Sequence, residues 1–324
     1  MLNAELKSQL KARGICVVIP TYNNEGSIRQ VVTDTQRYCD DIILVSDGCN
    51  DGTLAILNQI DGITIVSYLQ NRGKGYALKV GFKKALDMGF SYAITLDADG
   101  QHYPEDIKLF LEANRKHPGA LIVGNRQLEG VERSLGSSFA NKFSNFWFCV
   151  QTGKFLKDTQ TGYRLYPLKK LYGLSLLTSR YEAELELLVF ASWHGIELVP
   201  ISVNVYYPPR EQRISHFRPG KDFARISVLN TILCFMAVVY GLPLRVCRFL
   251  LICIRTIYSL LFFVFFSLGI FTPFTWLYIK IGMMTDKKRF RLHQLIYYAS
   301  RFVMIYHGVP GTKFYTKVSE NIDF

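Results

Sequence analysis

The sequence predicts an α/β protein in which helices flank a doubly wound, mostly parallel sheet. Short apolar runs alternate with helical patterns through the first half of the chain, as they do in repeated strand-helix-strand units. Polar segments rich in glycine follow several of these runs. In open parallel sheets ligands bind beyond the carboxyl ends of the strands, so the polar segments are expected to form a binding site.

Five strands are predicted, each from a short apolar run bounded by turn residues. The runs cover residues 15–19, 42–45, 63–67, 92–96 and 121–123. Helical patterns lie between them, near residues 25–38, from residue 51 onward and over residues 75–88. The segments PTYNNEG, SDGCNDGT and DADGQH follow the first, second and fourth strands, so they should meet at one edge of the sheet.

Charge and hydropathy set the last part of the chain apart. The chain has 38 Lys and Arg against 26 Asp and Glu, a net charge of +12. Residues 226–324 hold 11 of the basic and 3 of the acidic side chains, so they contribute 11 − 3 = +8. A segment that is both basic and strongly apolar indicates contact with anionic lipids, and no nucleic-acid-binding motif is recognised.

Two apolar segments without charged residues are candidates for membrane helices. Residues 226–244 form a segment of 19 residues and residues 256–279 one of 24. At about 1.5 Å rise per residue both could cross roughly 30 Å of hydrocarbon. The first contains Ser227, Asn230 and Thr231, so a helix lying in the interface or buried in the soluble part is the alternative.

The cysteines and the N-terminus indicate the compartment. The seven cysteines are scattered without a C-x-x-C pair, which predicts reduced and mostly buried thiols. The first residues, MLNAELKSQLKARG, lack the apolar core of a signal peptide. The polar part of the chain is therefore expected to face the cytoplasm.

The segment LDADGQHYPED carries the strongest chemical signal. Asp97 and Asp99 stand where the fourth apolar run gives way to Gly100, and Gln101 and His102 follow within reach. Two carboxylates so placed can bind one divalent cation, and Mg²⁺ and Mn²⁺ prefer such oxygen ligands, which they commonly share with phosphate oxygens. An acidic pair in a solvated loop is the alternative for this pattern alone. The other polar segments favour the metal site.

The order of four segments resembles a known family. PTYNNE, SDGCNDGT, NRGKGYAL and DADGQH, in this order, resemble the family 2 glycosyltransferases of the GT-A fold. The following GNRQLEGVERSLGSS and DTQTGYRLYP resemble the dolichol-phosphate mannose synthase branch, which glycosylates polyprenyl phosphates. The resemblance covers roughly residues 14–218, and it departs from the family at Ser46, where an acid is usual, and at Cys49, where Ser is common.

The resemblance implies a membrane-associated, inverting enzyme that uses a GDP- or UDP-linked sugar and Mg²⁺ or Mn²⁺. Its metal would be held by Asp97, Asp99 and Gln101, with Asp99 essential for catalysis. The remaining donor-side residues are those expected to line the nucleotide pocket, contact the nucleoside or close over the diphosphate: Pro20, Thr21, Tyr22, Glu25, Asp47, Lys74, Arg213 and Ser215.

Two acceptors remain open at this stage. A polyprenyl phosphate would be held by Arg126, Arg133, Ser137 and Arg164, and as an anionic nucleophile it needs no strong base. A lipid hydroxyl would need a general base, for which Asp158 is the catalytic candidate. A non-catalytic, lipid-binding scaffold is the alternative of another class.

A helical segment, YEAELELL, contains three further acids. Glu182, Glu184 and Glu186 are expected on a solvated helical face, with Glu184 the one that could face the site.

Three domains are expected from these patterns. They are a GT-A catalytic domain over residues 1–225, membrane-associated helices over residues 226–283 and a basic segment over residues 284–324. The end of the chain weakly resembles the lead-in of a PlsC-type acyltransferase, although no His has an Asp five residues further on. A glycosyltransferase-acyltransferase fusion acting in glycolipid synthesis would suit the hydroxyl acceptor.

Overall fold

The computed structural model describes residues 2–127, 135–174, 176–206 and 219–267. A central sheet of seven strands is built from all five predicted strands and two that were not predicted. In chain order the strands are β1 (Ile15–Thr21), β2 (Ile42–Asp47), β3 (Ile63–Tyr68), β4 (Tyr92–Thr95), β5 (Leu121–Arg126), β6 (Arg164–Pro167) and β7 (Leu198–Val203).

The sheet is mostly parallel, as predicted. Its strand order is β3-β2-β1-β4-β6-β5-β7, and only β6 runs antiparallel to its neighbours among these strands. The two strands that the sequence pattern missed are short or irregular: β6 is the four-residue RLYP and β7 contains Pro200. Proline lacks the N–H that a central strand needs, and β7 is the edge strand, where proline is tolerated.

Helices cover both faces of the sheet. They are α1 (Leu2–Ala12), α2 (Ile28–Gln36), α3 (Thr53–Leu57), α4 (Lys74–Asp87), α5 (Ile107–Lys116), α6 (Leu135–Thr152), α7 (Leu168–Leu171), α8 (Glu182–Trp193), α9 (Pro219–Met236) and α10 (Leu242–Ser267). The β1 side chains alternate between two apolar clusters, with Cys16 and Val18 in one and Val17 and Ile19 in the other. Burial on both faces explains why β1 is a continuous apolar run.

The chain forms two compact units, residues 1–244 and residues 245–324. Helix α9 belongs to the first unit, where Leu229 and Leu233 join the apolar cluster. The amide of Gln151 on α6 donates to Asn230 on α9 at 3.0 Å, and this buried bond fixes α9 to the rest of the unit. The 226–244 segment is thus partly a packing helix, which was one of the alternatives predicted for it.

A continuous apolar helical stretch follows. A π-helical turn (Ala237–Gly241) separates α9 from α10, and Ala224–Ile254 is long and apolar enough to cross a membrane. Residues 245–255, expected as a connector between two apolar segments, lie within α10. The predicted basic segment and its acyltransferase resemblance lie outside the described residues, and the three predicted domain limits stay a prediction.

Candidate functional site

The polar segments meet at one edge of the sheet because of strand direction. β1, β2, β4 and β5 all end at this edge, and the antiparallel β6 begins there, with Thr95 paired to Arg164. The segments after β1, β2 and β4, the end of β5 and the loop before β6 are thereby brought together. This is the edge that the sequence predicted for the site.

Asp97 and Asp99 form a strongly charged pair just beyond β4. Burial and the neighbouring Asp97 carboxylate raise the pKa of Asp99 to about 6. Burial would also raise the pKa of Asp97, but the Lys74 ammonium outweighs it and holds that pKa at about 2. The backbone N–H of Gln101 donates to Asp99 at 3.0 Å, which shapes the turn.

This pair fits a divalent cation. Both groups are hard oxygen donors, the type that Mg²⁺ and Mn²⁺ prefer. A Cβ on Gly162 would lie 2.5 Å from Asp97 Oδ2, so only glycine leaves that oxygen accessible. No cluster of three or more His, Cys, Asp or Glu that could hold a metal is found in the described parts of the chain. A cation bound here would need further oxygen ligands, such as those of a diphosphate.

Lys74 lies against the same carboxylate. It is the first residue of α4, and its ammonium is 2.6 Å from Asp97 Oδ1 and 3.0 Å from Glu184 Oε2. Burial opposes the charged form, but the two carboxylates raise the pKa of Lys74 above its ordinary value. The lysine therefore contributes a permanent positive charge to the site.

The three acids of α8 are buried, so the solvated face predicted for them is wrong. Glu182 and Glu184 are each 7% exposed and Glu186 is fully buried. Glu186 accepts hydrogen bonds from the backbone N–H groups of Leu177 and Thr178, which stabilises the loop before the helix. The reason is that every residue of α8 is buried, and the helix packs against α4, α6 and α9.

Arg164 does not have the exposure that a phosphate-binding residue needs. It is fully buried, and its guanidinium donates to the carbonyl of Glu184 at 2.8 Å and to that of Thr159 at 2.8 Å. A third bond goes to the Tyr166 hydroxyl at 3.2 Å. These bonds tie α8 to the loop before β6, and this position does not support the predicted contact with a lipid phosphate.

Arg126 and Asp158 form a bidentate ion pair. Arg126 Nε donates to Asp158 Oδ2 at 2.6 Å, and a terminal guanidinium nitrogen donates to Oδ1 at 3.0 Å. Asp158 is buried and also accepts from the backbone N–H of Gln160 at 3.2 Å. The carboxylate is thereby committed to holding Arg126 at the end of β5.

Reciprocal hydrogen bonds join the loops after β1 and β2. The Asn23 side chain bonds the Asn50 side chain at 2.6 Å and accepts from its backbone N–H at 3.0 Å. Glu25 accepts from the Gly52 N–H at 2.8 Å, so this predicted pocket residue also supports the second loop. Three further predicted pocket residues are Pro20, Thr21 and Tyr22, and the first two are buried at the end of β1. Tyr22, half-buried, follows them.

Asp47 is buried at the end of β2. Its two oxygens accept from the backbone N–H groups of Arg72 at 2.7 Å and Gly73 at 2.8 Å. These bonds fix the loop that precedes Lys74, where Gly73 has a φ of 98° that other residues rarely adopt. The position supports a loop-shaping role for Asp47, and the predicted contact with a nucleoside stays a prediction.

His102 shapes the DADGQH turn from inside. Its Nδ1 accepts from the backbone N–H of Asp97 at 3.2 Å, and its ring stacks on Tyr163. Burial lowers the pKa of His102 to about 4, so the imidazole is neutral at physiological pH. It supports the DADGQH turn through the backbone.

Several residues around the site were missed or only partly anticipated by the sequence reasoning. Glu184 was named as the acid of its helix that could face the site, but on a solvated helical face, and Gly162 was not considered. Arg72 lies 3.7 Å above the Tyr76 ring, and Tyr68 packs edge-on against that ring beside Asp47. Apart from its three acids and Ser192, α8 is apolar on all sides, and this was the signal that could have found Glu184, because such a helix is buried.

Four predicted site residues are not tested by the structure. Arg133, Arg213 and Ser215 lie outside the described residues. Ser137 lies in the first turn of α6, and its predicted contact with the acceptor phosphate stays a prediction.

Comparisons with known proteins agree with this geometry. Residues 16–163 match the family described as glycosyl transferase family 2. The chain is 29% identical to a UDP-N-acetylglucosamine–dolichyl-phosphate N-acetylglucosaminyltransferase of Methanococcus voltae, over 60% of this chain and 86% of that protein. It is 30% identical to the polyprenol monophosphomannose synthase of Mycolicibacterium smegmatis, over 61% of this chain and 79% of that protein.

Solved structures confirm the fold class. A glucosyl-3-phosphoglycerate synthase from Mycobacterium tuberculosis, crystallised with Mn²⁺, UDP-glucose and phosphoglyceric acid, superposes with a TM-score of 0.56. The alignment has 18% identity and covers 72% of this chain and 83% of that chain.

Proposed function

Because the chain belongs to glycosyl transferase family 2, we propose that it transfers a sugar from a nucleotide-sugar to the phosphate of a polyprenyl phosphate at a membrane. The observation that carries this proposal is the bidentate pair of Arg126 and Asp158 beside the Asp97 and Asp99 carboxylates. It supplies a positioned guanidinium for an anionic acceptor next to a site for the donor diphosphate.

On the donor side, Asp97 and Asp99 hold the divalent cation, with Gln101 as the third candidate ligand. Bound there, Mg²⁺ or Mn²⁺ would neutralise the charge that develops on the leaving diphosphate. Lys74 adds a permanent positive charge close to the leaving diphosphate. The acceptor attacks the anomeric carbon from the side opposite the diphosphate, so the configuration inverts.

On the acceptor side, a phosphate is favoured over a hydroxyl. A hydroxyl needs a base that can take its proton, and Asp158 is buried and already accepts three hydrogen bonds shorter than 3.3 Å. A phosphate is anionic near neutral pH and needs only orientation and charge neutralisation. Arg126, held by Asp158, suits bidentate phosphate binding. Arg133 and Ser137 are proposed to complete the phosphate site.

The apolar C-terminal helices support a location of this chemistry beside the membrane. The exposed apolar side chains of α9 and α10 include Phe235, Phe249 and Ile257. A lipid-linked acceptor remains in the bilayer, so a tethered enzyme meets it without extracting it. We place the catalytic unit on the cytoplasmic side, where nucleotide-sugars are made.

Acceptor chemistry provides the test. The full chain in detergent would be given radiolabelled GDP- and UDP-sugars with Mn²⁺, and either undecaprenyl phosphate or the dephosphorylated polyprenol. We expect transfer to the phosphate only, with one nucleotide preferred, and loss of transfer in Asp99→Ala or with excess chelator.

Variants separate the competing functions. Arg126→Ala should raise the KM for polyprenyl phosphate with little change in donor binding. Comparable glycosylation of the unphosphorylated polyprenol, abolished by Asp158→Asn, would instead establish the hydroxyl acceptor. Absence of both donor binding by calorimetry and transfer would establish a non-catalytic scaffold.

A further inference from the structure

The Lys74 ammonium contacts one oxygen of the Asp97 carboxylate, the group that a cation would need. It is 2.6 Å from Asp97 Oδ1, and a Cβ on Gly162 would lie within 2.7 Å of both Asp97 Oδ1 and Lys74 Nζ. A cation that binds the other oxygen, Oδ2, would therefore come close to the ammonium in a confined space, and the two positive charges would repel each other. The repulsion weakens the contact between Lys74 and Asp97, and a second carboxylate close by would stabilise the displaced ammonium.

Glu184 is that second anion. Its Oε2 already contacts the Lys74 ammonium at 3.0 Å. Its other oxygen, Oε1, is buried and has no hydrogen-bond partner among the described residues. Burying a carboxylate oxygen without a hydrogen-bond partner costs free energy. Oε1 of Glu184 can therefore accept a hydrogen bond from a donor that arrives in another state of the site.

The helix that carries Glu184 is fixed relative to Lys74. Arg164 donates to the Glu184 carbonyl at 2.8 Å, and the backbone N–H of Tyr76 donates to the carbonyl of Ser179 at 2.9 Å. The second bond joins the start of α4 to the segment just before α8. Only the side chains of Lys74 and Glu184 need to move for the ammonium to change partners.

The charges of the site also balance for a divalent cation. Asp97, Asp99 and Glu184 carry three negative charges and Lys74 one positive charge, so the sum is −3 + 1 = −2. The Arg126 and Asp158 pair carries no net charge. Without the Glu184 carboxylate the net charge of these groups would be −1. Asp97 would then be the carboxylate that remains in contact with the Lys74 ammonium.

We propose that Glu184 is a positioning residue that receives the Lys74 ammonium when a divalent cation takes Asp97. The exchange frees the inner carboxylate for the cation and keeps the lysine inside the site, beside the donor diphosphate. The proposal rests on the proposed function, because it assumes that Asp97 is a ligand of the cation.

Mn²⁺ binding to the full chain, measured by electron paramagnetic resonance without donor or acceptor, tests the exchange. We expect Glu184→Gln to weaken Mn²⁺ binding by about tenfold or more, the change that loss of a charge-assisted hydrogen bond gives. Lys74→Met should leave Mn²⁺ binding as tight as in the wild type or tighter, because it removes the competitor. The same variant should weaken binding of the nucleoside diphosphate.

Glu182→Gln is the matched control. Glu182 lies on the same helix and is equally buried, but it lines a separate cavity of about 410 Å³ between α8 and α9. Its substitution should leave Mn²⁺ binding unchanged. Circular dichroism and thermal unfolding of each variant identify any loss of fold. The double variant Lys74→Met/Glu184→Gln removes one positive and one negative charge together, so the net charge of the site stays the same.

The double variant decides between exchange and simple attraction. If Glu184 acts through Lys74, Glu184→Gln should have less than about a twofold effect on Mn²⁺ binding in the Lys74→Met background. Additive effects, or equal binding by Glu184→Gln and the wild type, would overturn the proposal. Tight Mn²⁺ binding by a wild type that transfers no sugar would instead count against the proposed function and leave the exchange supported.

Discussion

Burial decides what the charged residues of this protein do. Arg164 and Arg126 stand near the same edge of the sheet, but Arg164 is enclosed by backbone carbonyls whereas Arg126 is held by a carboxylate. The first therefore supports the structure and the second supplies an oriented charge. Glu184 shows the same dependence, since its neighbour Lys74 gives a buried acid a chemical role.

The two buried cysteines give a pH-dependent stability. Burial raises the pKa of Cys39 to about 12 and raises that of Cys16 further. The unfolded thiols ionise near pH 9, so the stabilising contribution is complete below that pH and is lost as the pH rises toward the folded pKa. We expect each thiol to contribute a fall of about 1.4 kcal/mol per pH unit in the free energy of unfolding above pH 9.

Denaturant unfolding between pH 8 and pH 11 measures this effect. Other groups also titrate in this range, so the comparison is between the wild type and Cys16→Ala/Cys39→Ala. The variant should have the shallower alkaline decline. Equal slopes in the two proteins would show that the buried thiols do not contribute.

At the scale of elements, close contact between α4 and the sheet sets the position of Lys74. A Cβ on Gly81 would lie 2.5 Å from Cγ1 of Val18 in β1 and 3.1 Å from Cγ2 of Val45 in β2. Glycine is unfavourable within a helix, but here it lets the helix lie directly on the two central strands. The start of α4 thereby reaches the carboxyl end of β4, where Asp97 is located.

Gly81→Ala is expected to destabilise the protein by about 1–3 kcal/mol, because overpacking against two rigid valines outweighs a gain of roughly 1 kcal/mol in helix propensity. The matched control is Gly220→Ala in α9, where an added Cβ meets nothing within 4 Å. That substitution should be neutral or slightly stabilising. Thermal unfolding of both variants provides the measurement, and equal effects would contradict the packing argument.

At the scale of the whole molecule, the chain combines a compact catalytic unit with an apolar helical segment. The first unit ends at Leu244, and α10 continues with many exposed apolar side chains. The basic charge of residues 226–324 would add attraction to anionic lipid headgroups. The exposed apolar side chains and the basic charge both favour binding to the membrane. The electrostatic attraction becomes weaker as the salt concentration rises.

Flotation with lipid vesicles tests this division. The full chain should float with phosphatidylglycerol vesicles more than with phosphatidylcholine vesicles, and high salt should reduce the difference. A chain ending at Leu244 should lose most of the flotation while it retains nucleotide binding. Equal flotation of the two chains would place the membrane contact within the first unit.

The sequence by itself determined the local features of the fold and the metal motif. All five predicted strands are present. The apolar runs of β1, β2, β4 and β5 are mostly buried, the edge strand β3 is half-buried, and the pattern of such strands is local. The Asp97 and Asp99 pair could be recognised as a candidate metal site because the two carboxylates are two residues apart. Parallel strand direction then explains why the polar segments meet at one edge.

Only the tertiary structure decided which distant side chains share that edge. The antiparallel β6 pairs Arg164 with Thr95, and Lys74 meets Glu184 across more than a hundred residues of chain. No local pattern encodes these contacts, because each depends on strand order and helix packing. Burial then determines which charges are committed to the structure and which remain for chemistry, since a charged group in the interior must have a partner.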